Sequence, residues 1–509
     1  MKTDLLNGFK YAVIAAAVIL VSCSGMQVSA ADKLTNREIT NAVDDELMED
    51  VAVPSYMVDV STVEGVVTLK GAVKNILAKD RAEKIASTVK GVRGIVNRIT
   101  VDAPFRTDTE ISEDVEDAFI ANAVTESWEI GHSVDGGIVN LTGTVDSWQE
   151  KELAGKVAKG VKGVKGIDND IIVDYKTVRT DTEIKEDVES ALRWDTYIDD
   201  ALINVSVDNG NVTLEGTVGS LAEKNRAFNK SWITGVDSVD KSDLEVKWWA
   251  RDERLREDKY VVKTDKELKE AVNDVFLYDP RVFSFKIDVE PDNGYVTLRG
   301  TVDNLKAKRA AAQDARSVVG VWSIDNKIKV RPNTPSDKRI RENIENALLR
   351  DPYVELYEID VTVVDGKVYL YGDVDSIFEK SHADDVASRQ SGVRDVNNFL
   401  SVNDPDAAVY DPYTDEWYLY DYDWYYVPDI DTVKTDWEIE EDVEDELFWS
   451  PFVDSDEVTV EVDDGIATLT GTVDTWSERE AAAENAFEGG AVAVDNDLQV
   501  SYGPDYYSP

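Results

Sequence analysis

The chain has 509 residues with 54 lysines and arginines against 103 aspartates and glutamates, a net charge of −49. A surface of that sign repels nucleic acid and anionic lipid unless cations intervene. The single cysteine, Cys23, excludes an internal disulfide and a metal site built on cysteines.

Residues 1–30 read as an export signal. Lys2 and Lys10 precede an apolar run from Tyr11 to Val21, and "VSA" ending at Ala30 suits signal peptidase. A second reading stands beside it, because "LVSC" from Leu20 to Cys23 resembles a bacterial lipobox. On that reading residues 1–22 are removed and Cys23 carries lipid. The apolar run is short of the ~20 residues that a spanning helix needs.

Beyond the leader one pattern recurs six times. In module 3, "INVSVDNGNVTLEGTV" from Ile203 to Val218 alternates apolar and polar residues around Asn209-Gly210. This predicts a β-hairpin with one apolar face and a type I′ turn, whose two central residues need positive φ. A second glycine follows in the returning strand at Gly71, Gly143, Gly216, Gly300, Gly372 and Gly471, where close approach of another backbone is expected. The spacings of 72, 73, 84, 72 and 99 residues describe one module with two insertions.

Each module opens with a helix. Thr107, Thr180, Thr264 and Thr435 are each followed three residues later by glutamate, and Thr35 stands in the same relation to Glu38. That is the capping-box spacing; Ser336 keeps the cap but has Arg339 in the glutamate position. Ile184, Val188, Ala191 and Leu192 then form one apolar stripe. An alanine-rich second helix follows the hairpin, as in "LKAKRAAAQDARSVVG" from Leu305, and a third strand closes the module, as in "VKGIDNDIIV" ending at Val173. The fold class is α+β: tandem αββαβ modules, each a three-stranded sheet packed by two helices.

The modules span 36–102, 107–176, 180–248, 264–331, 336–402 and 435–502, with a linker at 404–433 rich in aromatic and acidic residues. Its rings, from Tyr410 to Tyr426, are too many for a solvated spacer. They predict either packing on modules 5 and 6 or a contact surface for glycan, protein or lipid headgroups.

The αββαβ order, the "V-x-L-x-G-x-V" hairpin and the "G-V-x-x-V-x-N-x-I-x-V" strand resemble the BON domain, named for bacterial osmotically inducible and nodulation proteins. The resemblance covers most of the chain beyond the leader. It implies an exported, non-enzymatic envelope protein, in the periplasm or tethered to the outer membrane, associated with osmotic stress and phospholipid surfaces.

Catalytic patterning is absent: His132 and His382 are the only histidines and fall at different places of different modules. The repeating Asn97, Asn169, Asn326, Asn398 and Asn496 read as backbone-bonding residues beside the last strand. "GVRG" at Gly91 and "GVKG" at Gly163 imitate a nucleic-acid-clamping loop, yet lead into a strand in an acidic chain, so nucleic acid is excluded as a partner. No cofactor is called for, and Asp463-Asp464 lacks the ligand spacing of a calcium loop. Lipid contact, assisted by divalent cations, is assigned to the basic second helices through Lys156, Lys159, Lys162, Lys306, Lys308 and Arg309. Other envelope proteins are the alternative partners, and the oligomeric state is left open.

Overall fold

The computed structural model describes residues 34–122, 125, 130–251, 259, 263–282, 286–331, 335–354, 359–403 and 434–501. The leader with Cys23 and the aromatic linker lie outside the described residues. Asn36–Pro509 forms one unit, and six αββαβ modules follow one another within it.

Module 3 shows how the sequence makes the unit. Thr180 accepts the Glu183 N–H while Glu183 accepts the Thr180 N–H, closing the capping box that starts the first helix, Asp181–Trp194. Ile184, Val188 and Leu192 on this helix are buried. The hairpin pairs Ile203–Asp208 antiparallel with Asn211–Val218, placing Val205 opposite Leu214. Asn209 and Gly210 have φ of 50° and 75°, the two positive values of a type I′ turn. The second helix, Leu221–Lys230, is capped by Ser220, and the last strand returns parallel to the hairpin's second strand, which is therefore central.

The same boxes form at Thr107, Thr264 and Thr435, and Ser336 caps the Arg339 N–H without the reciprocal bond. Gly216 has φ of 125°, and a Cβ there would lie 2.0 Å from the Leu202 carbonyl oxygen. Gly71 and Gly471 face the Met57 and Glu457 carbonyls at 1.9 and 2.0 Å in the same sense, and Gly300 faces Lys286 at 2.7 Å. Gly143 and Gly372 share the conformation, with φ of 136° and 133°. The first residue of the first helix ties that helix to the turn: Asp181 accepts the N–H groups of Asn209 and Gly210 at 2.9 and 3.0 Å. Asp108 and Asp337 repeat both bonds.

The repeating asparagine joins the second helix to the last strand. Asn169 Nδ2 donates to the Lys151 carbonyl at 2.8 Å and its Oδ1 accepts the Ile171 N–H. Asn97, Asn326, Asn398 and Asn496 make the equivalent pairs of bonds. The last strand is continuous in modules 1 and 5 and interrupted in the others.

Modules 2, 4, 5 and 6 are each built on a core mainly their own, which Ile76 of module 1 joins in module 2 and Leu305 of module 4 joins in module 5. In module 4 this is Leu268, Val272, Phe276, Leu298 and Ala311 with their neighbours; in module 6 it is Ile439, Val443, Leu469 and Ala482. The small side chains Ala307, Ala311 and Ala315 are buried under the module 4 sheet, which lets the helix backbone lie close to it. The modules are nonetheless not beads on a string. Backbone hydrogen bonds run from module 1 to 6, from 2 to 5 and from 4 to 3.

Candidate functional site: the second helices and the module interfaces

The sequence assigns lipid contact to the second helices, and the structure turns most of the six assigned cations towards other modules or half-buried positions. Lys306 is 8% exposed and its Nζ lies 2.9 Å from Asp385 of module 5. Burial pulls its pKa down to about 8, against the opposing pull of Asp385. Arg309 meets Asp384 at 2.5 Å, and Lys159 of module 2 meets Asp80 of module 1 at 2.5 Å. Lys162 and Lys308 are half-buried, and the Lys162 backbone bonds to Arg350 and Arg106. Of the six proposed cations only Lys156 is exposed. The assignment of Lys306 and Arg309 to headgroup contact is therefore corrected: each is paired with a carboxylate of the neighbouring module. A sequence window shows the basic face of one helix but not the acidic face, many residues away, that it meets.

The loops that imitate a nucleic-acid clamp have the same fate. Lys90, just before Gly91, donates its N–H to the Trp449 carbonyl at 3.1 Å, and Lys162, just before Gly163, donates to Arg350 at 2.6 Å. Val319, before Gly320, donates to Trp194 at 2.9 Å. These glycines have φ of 87°, 97° and 87°, which turns the chain out of the second helix and presents the preceding N–H to another module.

Aromatic residues seal a further contact. Trp148 of module 2 stacks on Trp232 of module 3 with centroids 5.1 Å apart and meets Phe228 edge-on, while Gln149 donates to the Trp232 carbonyl at 2.5 Å.

A buried polar pair at the end of the first helix escaped sequence analysis. Asp50 pairs with Arg81, Asp195 with Arg226, and Asp351 with His382, at 2.6, 2.6 and 2.9 Å. In each case the partner is the sixth residue of the second helix, so the aspartate's position just past the first helix was the available signal. His382 thus stands where two other modules have arginine. His132 instead contacts the Ser112 hydroxyl and carbonyl at 3.0 and 2.9 Å. Burial alone would raise the pKa of Asp195, but Arg226 and Lys230 outweigh it and hold the carboxyl down to about 2.

Asp314 behaves in the opposite way. Burial, and then the nearby Asp279, hold its carboxyl well above the usual range despite Arg281 and Lys230. A carboxyl with a raised native pKa costs stability once the pH exceeds its unfolded value of 3.8. Asp314→Asn should therefore raise the melting temperature at pH 7 by a few degrees, and the gain should disappear below about pH 4. Thermal unfolding at the two pH values checks this.

Among the described residues, no cluster of three or more His, Cys, Asp or Glu is arranged to hold a metal ion, and no helix is long and apolar enough to cross a membrane.

The BON domain profile matches residues 35–103, 107–175, 180–247, 264–332, 336–404 and 435–502. Osmotically-inducible protein Y of Escherichia coli K12 is 31% identical over 140 residues, covering 26% of this chain and 70% of that protein. An uncharacterized protein in the gshII 5′ region of Anaplasma centrale is 29% identical over 143 residues, covering 27% and 93%. CdsD, a structural protein of the type III secretion system of Chlamydia trachomatis, aligns over 43% of this chain and 92% of its own at 14% identity with a TM-score of 0.12. Six profile matches in register with the six folded modules place the chain in the BON-domain family, with six copies of the domain in one polypeptide.

Proposed function

We propose that this is a non-enzymatic, exported cell-envelope maintenance protein of the osmotic-stress type, working as a preassembled scaffold. The kinship with an osmotically inducible protein and the signal-like leader support the setting, which is the periplasm or the periplasmic face of the outer membrane. The observation that carries the mechanism is the pairing of second-helix cations with carboxylates of other modules. With those cations engaged, the outside of a chain of net charge −49 meets an anionic surface only through bridging divalent ions.

Phospholipid contact on this reading runs through carboxylate, divalent ion and phosphate. Co-sedimentation of the full chain with anionic vesicles should show weak binding that needs millimolar magnesium, reverses with chelator and changes less than about twofold in Lys156→Glu, whereas a lysine in direct headgroup contact, at about 1 kcal/mol, would change it about fivefold. Binding without divalent ions, lost in Lys156→Glu, would return the role to the basic helices. Absence of vesicle binding with magnesium present would leave protein partners as the contact.

A further inference from the structure

The contacts between modules repeat at equivalent positions. The residue before the loop glycine donates to the last residue of a first helix three times: Lys90 to Trp449, Lys162 to Arg350 and Val319 to Trp194. These bonds pair module 1 with 6, 2 with 5 and 4 with 3. Modules 2 and 5 also bond in the reverse sense, since Asn122 after the first helix of module 2 bridges to Gln390 after the second helix of module 5. For modules 3 and 4 the reverse side brings Tyr278, after the first helix of module 4, and Thr234, after the second helix of module 3, onto the wall of one cavity. Reciprocal contacts of this kind are the mark of an approximate twofold axis.

A second set of contacts runs head to tail. The twelfth residue of one second helix meets the fifth of the next in Lys159 to Asp80 and in Arg316 to Glu480, linking module 2 to 1 and 4 to 6. The eighth residue of one meets the start of the next in Phe228 to Trp148, and the eighth and ninth residues Asp384 and Asp385 meet Arg309 and Lys306. These link module 3 to 2 and 5 to 4. The second helices of modules 1 and 3 also touch, which closes the first three into a ring. Tyr197 of module 3 and Phe452 of module 6, equivalent residues, meet edge to face at 6.1 Å.

We infer that the six modules complete a dimer of trimers within one polypeptide, modules 1, 2 and 3 against modules 4, 5 and 6, and that modules 1, 3 and 4 together form a docking seat for a BON module whose occupant is the chain's own module 6. Module 6 touches module 1 through Lys90, whose Nζ donates to the Phe448 carbonyl at 3.1 Å and sits 4.1 Å from the Phe448 ring centre. It touches module 3 through Tyr197 and module 4 through Arg316. Its core draws on no other module, so it is a separate folded body held by this seat. Its link to module 5 runs from Asn403 to Lys434, far longer than the Asp102 to Arg106 connection between modules 1 and 2.

The test is a specific protease site placed within 404–433 of the full chain, cut after purification. The cut chain should elute with its module 6 fragment retained at micromolar concentration. Lys90→Glu with Arg316→Glu, both on the seat and neither in module 6, should weaken retention at least tenfold, while Thr468→Ala on module 6 leaves it unchanged. Immediate loss of the fragment from the parent chain, equal retention by the double variant, or an uncut dimer that has exchanged module 6 between copies would each overturn the inference.

Discussion

Gly216→Val should cost module 3 about 4 kcal/mol or more, enough to unfold it at room temperature. Two independent penalties meet at this residue. Its φ of 125° is a conformation that side chains rarely adopt, and the added Cβ would sit 2.0 Å from the Leu202 oxygen, a backbone atom just before the neighbouring strand that cannot swing aside. Gly94→Ala is the matched control. There φ is unremarkable, the nearest atom to the new Cβ is Val66 Cγ2 at 4.0 Å, and the change should stay within about 0.5 kcal/mol. Hydrogen exchange of residues 203–218 in the two full-length variants reads the difference. Because module 3 touches modules 1, 2, 4 and 6, the Gly216 variant should also lose protection at Lys90 and Val319, outside its own module. Protection unchanged at residues 203–218 would show that the strand pair opens to admit the side chain.

Asp195→Ala should cost about 3–5 kcal/mol, the penalty for breaking a buried charge pair and leaving the partner charge behind. The carboxylate is 1% exposed and holds Arg226 at 2.6 Å and Lys230 at 3.3 Å, while its Oδ1 also accepts the Tyr197 N–H at 3.0 Å. It stands beside the bridge to Val318 of module 4, so the loss falls on an interface as well as on a module. The pH dependence has a definite sign. The native pKa is depressed from 3.8 to about 2, so the stabilisation is fully present above about pH 4 and is lost as the pH falls towards 2. The wild type and Asp195→Ala should thus converge in melting temperature near pH 2 and separate above pH 4; equal separation at both would mean that packing and not charge is what the substitution removes.

The module was legible because its determinants are local. A capping threonine, an apolar stripe, a two-residue turn and a glycine all act within a few residues, and the six copies show the same register in one chain. The role of the repeating asparagine followed from the same repetition. What could not be read was the partner of each exposed-looking charge. Lys306 and Asp385 lie 79 positions apart, and nothing in the window around "LKAKRAAAQDAR" distinguishes a lysine facing solvent from one facing another module. The alanines that suggested close packing on the sheet do pack there, but the polar residues between them pack as well, on neighbouring helices. The socket of Asp50, Asp195 and Asp351 was visible in principle. Aligning modules 1, 3 and 5 on the second glycine places an aspartate after the first helix opposite the sixth residue of the second helix, where Arg81, Arg226 and His382 stand.

The proposed scaffold requires the six modules to be closed on one another, and small-angle scattering of the full chain without its leader tests that directly. A compact body of about 470 residues has a radius of gyration of about 23 Å by the usual scaling with length. Six modules of about 70 residues each, joined end to end without mutual contact, would exceed about 40 Å. A value near 23–26 Å at low protein concentration is the predicted result; a value above 40 Å would contradict the closed arrangement and restore a string of separate modules.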